Sequence, residues 1–520
     1  MTVPDSPPEA IAALAVQPSS SPRQRRPRRQ RRSKVVPARP RLSAADWVLV
    51  AVVATIAVWL GWRVLTLGMA DANVDDDPQQ ALAWRADDPD AMVNVSAQDF
   101  ANHDYDGSWR FALAAVRAYP LQGRAYSLLA QNADFFHRTD EALRYYTIAH
   151  RLAPRDLPTL LYLSNSDLRQ GKLEAGFDQL DQVLLMYPDL LGRILPSLVM
   201  VAQSGPAQDQ LGRLLRARPR WRVAFLSLLA SSGPNSMGAD PAAVDRIFGM
   251  RGSNDPLPEY PPPVPGTPQP LDADVPTGFT EADLLINRQL ADGRWQVARD
   301  TWLASLSKGE RAVAALLFDG NFVFVPDYRA IPWLGLTTKG FGWQLPTGGS
   351  GYDASIGPRW RGADQNGLKV IFNGLPVDYQ PVQQLVVLAP GHYRVSGMGQ
   401  ASGMTNDVGL RWTVACAQDN NQQFRQEPEV VLTHSKPFMG EMPYGPFAFE
   451  FDVPAPGGTV TIDGTPTRVA SGCPAQWLRL DLGDGLYKGI PMQGGVVFDH
   501  LAITSMATPP MVTQPVSTHL

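Results

Sequence analysis

The chain has 520 residues, too many for one ordinary domain, which predicts two to four domains. Its hydrophobic share of 44% excludes a chain that is disordered throughout, and its two cysteines exclude a small disulfide-dense scaffold. The net charge of −4 hides a split, because residues 1–45 carry ten Arg and Lys against two acids, so the remainder sums to −12.

Residues 1–45 are predicted to form a disordered basic tail. Between residues 18 and 42 the sequence reads PSSSPRQRRPRRQRRSKVVPARPRL, which is rich in Pro and Arg and has almost no apolar content. One interpretation is an arm that binds nucleic acid. The other is topological, because positive charge beside a membrane span stays on the cytoplasmic side. The segment that follows favours the second interpretation, and we expect no nucleic-acid partner.

Residues 46–69 have the composition of a transmembrane helix. Beyond Trp47 only Arg63 is charged, and some 20 residues at 1.5 Å each span a hydrocarbon core of roughly 30 Å. Trp59 and Trp62 mark the far end, where aromatic side chains favour the interface. A cleaved signal peptide is the alternative, but the basic region before the span is far too long for one. We therefore predict a retained single-pass anchor in the inner membrane, with a cytoplasmic N terminus and a periplasmic bulk.

A 34-residue period runs through residues 89–188. Pro120, Pro154 and Pro188 each follow a helix-like segment at this spacing. Small residues let paired helices approach closely, large apolar ones fill the gap to the next unit, and the proline ends the second helix. The positions that recur with the same period are Ser108, Ala142 and Gly176; Met92, Tyr126 and Leu160; Val95, Leu129 and Leu163; and Ser96, Ala130 and Ser164.

This helix–turn–helix pattern resembles the tetratricopeptide repeat. The resemblance implies an α-solenoid of stacked hairpins whose concave face binds segments of other proteins. We place these repeats at residues 78–251, where the last units are degenerate, and expect a further helix pair at 277–311. Residues 252–276 between them are dense in proline and are predicted to form a linker or a long surface excursion.

After residue 311 the pattern changes to short runs of two-residue alternation bounded by Gly, Pro and Asn. Eight to ten such runs predict an antiparallel β-sandwich at residues 312–506, followed by a disordered tail at 507–520. The layout resembles the jelly-roll carbohydrate-binding modules, which implies a surface that holds sugars. The predicted fold class is therefore multidomain α plus β, with one transmembrane helix, a tetratricopeptide-like solenoid and a jelly-roll-like sandwich.

The two cysteines, Cys416 and Cys473, both fall in the predicted sandwich. Two thiols in an oxidising compartment are expected to pair, and two buried free thiols are the alternative. Trp412 and Trp477 lie close to them and are predicted to be core residues.

Three aromatic residues are the candidate ligand-binding residues of the sandwich: Trp343, Tyr352 and Trp360. They lie in a Gly-rich, loop-like stretch between residues 341 and 362. Aromatic rings stack on the C–H faces of sugars while polar neighbours bind the hydroxyl groups.

The sequence predicts no catalytic site, no metal site and no cofactor. It contains no HExxH, GxSxG or phosphate-binding loop motif. Asp481, Asp484 and Asp499 could bind Ca²⁺, but a turn-capping role is favoured. A glycosidase needs two carboxylates placed together, and no pattern indicates this. The carboxylates weighed for that role are Glu427, Glu429, Glu441 and Glu450.

Membrane-anchored periplasmic repeat proteins of this layout resemble accessory components of exopolysaccharide or cell-envelope glycan assembly. The resemblance implies a non-enzymatic scaffold that binds envelope proteins through its repeats, with polysaccharide as a second candidate partner of the sandwich. One alternative is a protein-only adaptor for secretion or division machinery, and another is a glycan lyase or hydrolase. The acidity of the outward part argues against electrostatic capture of an anionic polymer.

Overall fold

The computed structural model describes most of the chain, in two compact units, Met1–Ala86 and Asp87–Leu520. The described residues are 44–233, 238–258, 278–326, 331, 334, 336, 338–346, 348–359, 364–405, 409–417, 430–462, 465–469, 472–483 and 488–506. The tails predicted at 1–45 and 507–520 lie outside them, apart from Ala44 and Ala45.

In the first unit, helix α1 (Ala44–Asn73) contains the predicted span. It is 30 residues long, and its most apolar window has no buried residue. At 1.5 Å per residue the rod measures about 45 Å, so it is long and apolar enough to cross a hydrocarbon core of roughly 30 Å. Helix α2 (Pro78–Trp84) follows after Asp77, whose side chain accepts a hydrogen bond from the Gln80 N–H.

The second unit begins with a helical array. Its described helices are α3 (Pro89–Ala101), α4 (Tyr105–Ala118), α5 (Gly123–Phe135), α6 (Thr139–Leu152), α7 (Leu157–Arg169), α8 (Leu173–Met186), α9 (Leu191–Val201), α10 (Gly205–Arg216), α11 (Arg222–Ser231), α12 (Pro241–Met250), α13 (Glu281–Ala291), α14 (Trp295–Ser305) and α15 (Lys308–Ala312). Helices α3 to α8 form three hairpins with the predicted period, since α4, α6 and α8 begin at Tyr105, Thr139 and Leu173. The tetratricopeptide-like array is therefore confirmed.

Small side chains bring the two helices of each hairpin together. The Ser96 hydroxyl donates to the Ser108 carbonyl at 2.8 Å, and two units later the Ser164 hydroxyl donates to the Gly176 carbonyl at 2.9 Å. In the middle unit the fully buried Ala142 occupies the position equivalent to Ser108 and Gly176. The serine hydroxyls hydrogen-bond to backbone carbonyls across the contact, and each small side chain leaves room for the helices to approach. This explains why residue size repeats with the same period.

The turn inside each hairpin requires a left-handed residue. His103 (φ 67°), His137 (φ 60°) and Gly171 (φ 76°) occupy this position, and Gly293 (φ 69°) repeats it between α13 and α14. Histidine is among the non-glycine residues that adopt this conformation more often than most. The two histidines are thus turn residues.

The array continues beyond the regular hairpins, with α10 packed on α8 and α12, and α11 packed on α9 and α13. Arg222 of α11 and Glu281 of α13 form a buried pair, with Nε–Oε1 at 2.7 Å and Nη2–Oε2 at 2.6 Å. Arg222 also donates to the carbonyls of Leu215 and Ser253. Arg251 Nε lies 3.3 Å from Glu281 Oε2. One carboxylate therefore ties three parts of the chain together.

The ends of the proline-rich segment predicted at 252–276 lie side by side. The Leu257 N–H donates to the Phe279 carbonyl at 2.9 Å, and the Glu281 N–H donates to the Asp255 carbonyl at 3.0 Å. Residues 259–277 lie outside the described residues. Helices α11 and α13 therefore pack together in one array, although the proline-rich segment separates them in sequence.

The described strands are β1 (Tyr352–Pro358), β2 (Asn366–Asp378), β3 (Val382–Val386), β4 (Gly391–Met404), β5 (Leu410–Cys416), β6 (Val431–His434), β7 (Gly440–Val453), β8 (Thr459–Ile462), β9 (Thr465–Arg468), β10 (Gln476–Leu482) and β11 (Lys488–Met506). They form a five-stranded sheet of order β1-β2-β11-β4-β7, a four-stranded sheet of order β3-β10-β5-β6 and the hairpin β8-β9. Their pairings are antiparallel. The predicted fold class, helical array plus antiparallel sandwich, is confirmed.

The inner faces of the two large sheets pack around Trp412. Its ring is fully buried, 5.2 Å from the ring of Phe498 and 6.0 Å from that of Trp343. Cys416 and Cys473 form the predicted disulfide, which links β5 to the segment before β10. Closing a loop with a separation of 57 residues corresponds to about 4 kcal/mol in the chain-entropy picture.

The four-stranded sheet packs on the last helix pair. Ile286 of α13 and Trp302 of α14 share one buried cluster with Leu385 and Ala475 of the sandwich. Trp477, predicted as a core residue, packs against this cluster. The helical array and the sandwich thus share a continuous apolar contact within one compact unit.

Replacing Glu281 by Ala should lower the free energy of unfolding by about 3–5 kcal/mol, because Arg222 would stay buried with only the more distant Asp255, at 3.5 Å, as an acidic neighbour. The matched control is Asp178→Ala, which breaks an exposed pair with Arg213 and should cost less than about 1 kcal/mol. Urea unfolding followed by far-UV circular dichroism measures both. Equal losses in the two variants would contradict the role assigned to the buried pair.

Candidate functional sites

An exposed aromatic cluster crosses the first two hairpins at their inter-helix turns. We define the aromatic cluster as Phe100, Tyr105, Phe135 and Phe136. The Tyr105 ring stacks on Phe135 with centroids 3.8 Å apart. Phe100 and Phe136 meet Tyr105 edge-on, at 5.4 and 6.0 Å. Phe135 and Phe136 are 48% and 47% exposed, so the structure presents a preformed apolar surface built from two hairpins.

The two chain segments that carry the aromatic cluster are rich in acids, and Arg138 lies over the Phe136 ring, 5.8 Å from its centroid. The segments 99–106 and 134–141 hold six acids and one arginine. Burial and the neighbouring Asp104 raise the pKa of Asp99, while Arg110 lowers it. Carboxylates and the faces of aromatic rings both attract cations. The surface is therefore suited to a segment that carries cationic as well as apolar side chains.

Trp343, a predicted ligand-binding residue, lies inside the sandwich. It is 3% exposed, and its Nε1–H donates to the Asp319 carbonyl at 3.1 Å. It also lines a cavity of about 170 Å³, with Trp302, Phe318 and Phe324 among the other lining residues. Only part of this ring therefore borders open space, and ligand binding by Trp343 stays a prediction.

Tyr352, the second predicted ligand-binding residue, begins β1 and is half-buried. Its hydroxyl donates to the Gln380 carbonyl at 3.2 Å and accepts from the Gln380 N–H at 3.1 Å, and its ring lies 4.9 Å from that of Tyr379. These contacts hold the start of β1 in place. Trp360 lies outside the described residues, and ligand binding by Tyr352 and Trp360 stays a prediction.

A second pocket, of about 340 Å³, lies beside the five-stranded sheet. We call it the polar pocket. Three parts of the chain line it: Asn321 and Val323 before the sandwich, residues 364–366 at the start of β2, and residues 499–500 in β11. Val323 supplies the apolar part of the lining, and the other side chains are polar.

Three residues near the polar pocket have left-handed backbone: Asp319 (φ 46°), Phe322 (φ 54°) and His500 (φ 53°). Such residues persist where the surrounding structure fixes them. The Asp319 carboxylate accepts from the N–H groups of Val323 and Phe324, each at 2.8 Å. Burial raises the pKa of Asp319, and these two amides oppose the shift. The loop is therefore held by its own buried acid.

The same loop is fastened to β11 and β2. The Leu501 N–H donates to the Gly320 carbonyl at 2.9 Å, and a Cβ at position 320 would lie 1.7 Å from the Leu501 oxygen. The Asn366 amide donates to the Phe322 carbonyl at 3.1 Å. Only glycine fits the first contact, so the walls of the polar pocket are joined at backbone distance.

A polar network lies beside the pocket. Arg359 Nη1 donates to the Tyr444 hydroxyl at 2.6 Å and also to Asp499. The Tyr444 hydroxyl donates to Asp499 Oδ1 at 2.7 Å, and His500 Nδ1 lies 3.0 Å from the same oxygen. Burial and the hydrogen bond and charge of Asp499 raise the pKa of Tyr444, whereas Arg359 lowers it. In the tautomer that carries its hydrogen on Nδ1, His500 donates to the buried Asp499 carboxylate and Nε2 is the acceptor.

The sequence indicates Asp499 only as a turn cap or a calcium ligand and does not mark His500 or Asn321 as site residues. Asp499 instead accepts hydrogen bonds from Arg359 and Tyr444, which are remote in sequence. The available signal was the pair Asp499–His500, two polar residues that interrupt the apolar alternation of VVFDHLAITS. Of the other two acids considered as calcium ligands, Asp481 forms an ion pair with Arg479 at 3.2 Å. Asp484 lies outside the described residues.

No protein-family model matches the sequence, and no curated protein matches it. Similar solved structures include the CBM22-1 xylan-binding domain of Paenibacillus barcinonensis Xyn10C, with 9% identity, 32% of this chain and 88% of that chain covered, and a TM-score of 0.22. TmCBM61, in complex with β-1,4-galactotriose, has 9% identity, with 32% of this chain and 88% of that chain covered and a TM-score of 0.18. Pseudomonas aeruginosa PilF has 14% identity, with 42% of this chain and 89% of that chain covered and a TM-score of 0.23. At these TM-scores the likenesses carry no argument about function.

Replacing Gly320 by Ala should destabilise the sandwich by roughly 1–3 kcal/mol, because the added methyl group must push the loop away from Leu501. Gly192→Ala, in α9, is the matched control, since a Cβ there meets open space. Thermal unfolding of the two variants, with near-UV circular dichroism as a probe of Trp packing, measures the difference. An unchanged Tm for Gly320→Ala would show that the loop moves at no cost.

Proposed function

We propose that this protein is an adaptor, anchored in the inner membrane by α1, which serves exopolysaccharide or cell-envelope glycan assembly and export from the periplasmic side. The length and apolar character of α1 support the anchor. The basic residues before it support a cytoplasmic N terminus. The Cys416–Cys473 disulfide supports an oxidising compartment for the sandwich. The proposal assigns binding, and no enzymatic reaction, to the chain.

The aromatic cluster is the observation that carries the adaptor role. Its rings come from two successive hairpins, so the surface exists only when the repeats stack. A partner segment with apolar and Lys or Arg side chains would gain both burial and cation–π contact there. The six surrounding acids add attraction that falls with salt. The proposed docking surface therefore lies at the inter-helix turns of the first two hairpins.

The sandwich is the proposed glycan-binding part of the adaptor. Its outer surface carries the polar pocket, whereas the aromatic cluster lies on the repeats, so two ligands of different chemistry can bind one unit. A protein-only adaptor for secretion or division machinery is the competing function. It requires the same aromatic cluster but no glycan binding.

The double replacement Phe135→Ser with Phe136→Ser should abolish partner capture, because it removes the exposed rings of the aromatic cluster. Full-length protein with a photoreactive amino acid in place of Thr139 is crosslinked in membranes and the adducts are identified by mass spectrometry. We expect at least a tenfold loss of adducts in the double variant and a loss at high salt in the parent. The matched control is Leu185→Ser with Met200→Ser, which removes two other exposed apolar side chains.

Capture of glycan-assembly or export proteins, together with signal for the full-length protein on a glycan array, would support the complete proposal. Capture of secretion or division proteins without glycan signal would favour the protein-only adaptor. Adducts that survive the double replacement would contradict the assignment of the aromatic cluster.

A further inference from the structure

We infer that the polar pocket binds one neutral sugar ring, with Asn321, Asp364 and His500 as the recognition residues. The inference rests on the proposed function and deepens it, because it names the place and the ligand class of the glycan contact. The ligand is a neutral polyhydroxylated ring, either free or at the end of a chain. The negative charge of Asp364 disfavours a sugar that carries a carboxylate.

The polar pocket is built before a ligand arrives. The loop that carries Asn321 is fixed by Asp319 and by the backbone contact between Gly320 and Leu501. His500 is held in left-handed backbone, with its Nδ1 on the buried Asp499. A site whose backbone is already fixed spends less of its interaction energy on ordering it.

Several lining groups make no hydrogen bond to any residue that the structure describes. These are the side chains of Asn321 and Asp364, the Nε2 atom of His500 and the amide nitrogen of Gln365, whose oxygen is taken by Arg359. They combine amide donors with amide, carboxylate and imidazole acceptors. A sugar hydroxyl both donates and accepts, so a ring with several hydroxyls can pair with all of them. A purely apolar ligand would leave them unsatisfied.

The charges of the polar pocket select neutral ligands. The Asp499 carboxylate is balanced by Arg359 at the edge of the pocket. Asp364 is an exposed acid on the pocket lining and forms no ion pair with another described residue, so it contributes negative charge to the pocket. A uronate brought there would meet like charge, which disfavours it. Size sets a second limit, since about 340 Å³ is at the low end of small-molecule sites and suits one ring.

The test measures binding of glucose, galactose, mannose, xylose and glucuronate to the full-length protein in lipid nanodiscs, by saturation-transfer NMR and calorimetry. We expect at least one neutral sugar to bind more tightly than glucuronate. The double variant Asn321→Ala with Asp364→Ala should bind that sugar at least tenfold more weakly than the parent does. His500→Gly should weaken it similarly, and glycine keeps the left-handed backbone so that the fold is preserved. Asp364→Asn should raise glucuronate affinity relative to the neutral sugar at least threefold.

The matched control is Asp353→Ala, an exposed acid on β1 away from the polar pocket, which should bind as the parent does. A parent that binds a neutral sugar while all pocket variants match it would overturn the site but leave a glycan-binding sandwich. A parent that binds none of the probes would overturn the inference. The adaptor role would not be affected, because crosslinking at the aromatic cluster tests it independently. Glucuronate binding as tight as that of the best neutral sugar would overturn the selection by charge.

Discussion

The carboxylate of Glu281 fixes the position of α13 on the earlier helices of the array. It is fully buried and receives two hydrogen bonds from Arg222, with Arg251 close by. A buried charge is costly without an opposite charge beside it, so the pair favours the return of α13 to α11. Because α13 and α14 also carry the contact with the four-stranded sheet, the position of the sandwich on the helical array depends on this pair.

One consequence is that the aromatic cluster and the polar pocket belong to the same compact unit. The cluster exists because two hairpins stack with a fixed period, and the pocket exists because a loop is fastened to β11 through Gly320. Neither surface needs a conformational change to form. If both proposed ligands bind, this arrangement would hold them at a constant separation and so raise the effective concentration of one near the other.

The array and the sandwich were predictable from the sequence because each follows from a local period. The 34-residue spacing marks size differences that helix contacts require, and the two-residue alternation marks strands with one buried face. Residues such as Cys416 and Cys473 were predictable because composition left them one partner. The polar pocket was not, since Asp499 meets Arg359 and Tyr444 from strands that only the sheet order brings together. Trp343 shows the converse limit: a glycine-rich neighbourhood suggested exposure, but the ring packs against Trp412.

The negative charge of the chain beyond residue 45 links the two proposed surfaces. Acids around the aromatic cluster favour a cationic partner segment, and Asp364 in the polar pocket disfavours an anionic sugar. An anionic polymer would therefore be repelled by the whole body rather than only by one site.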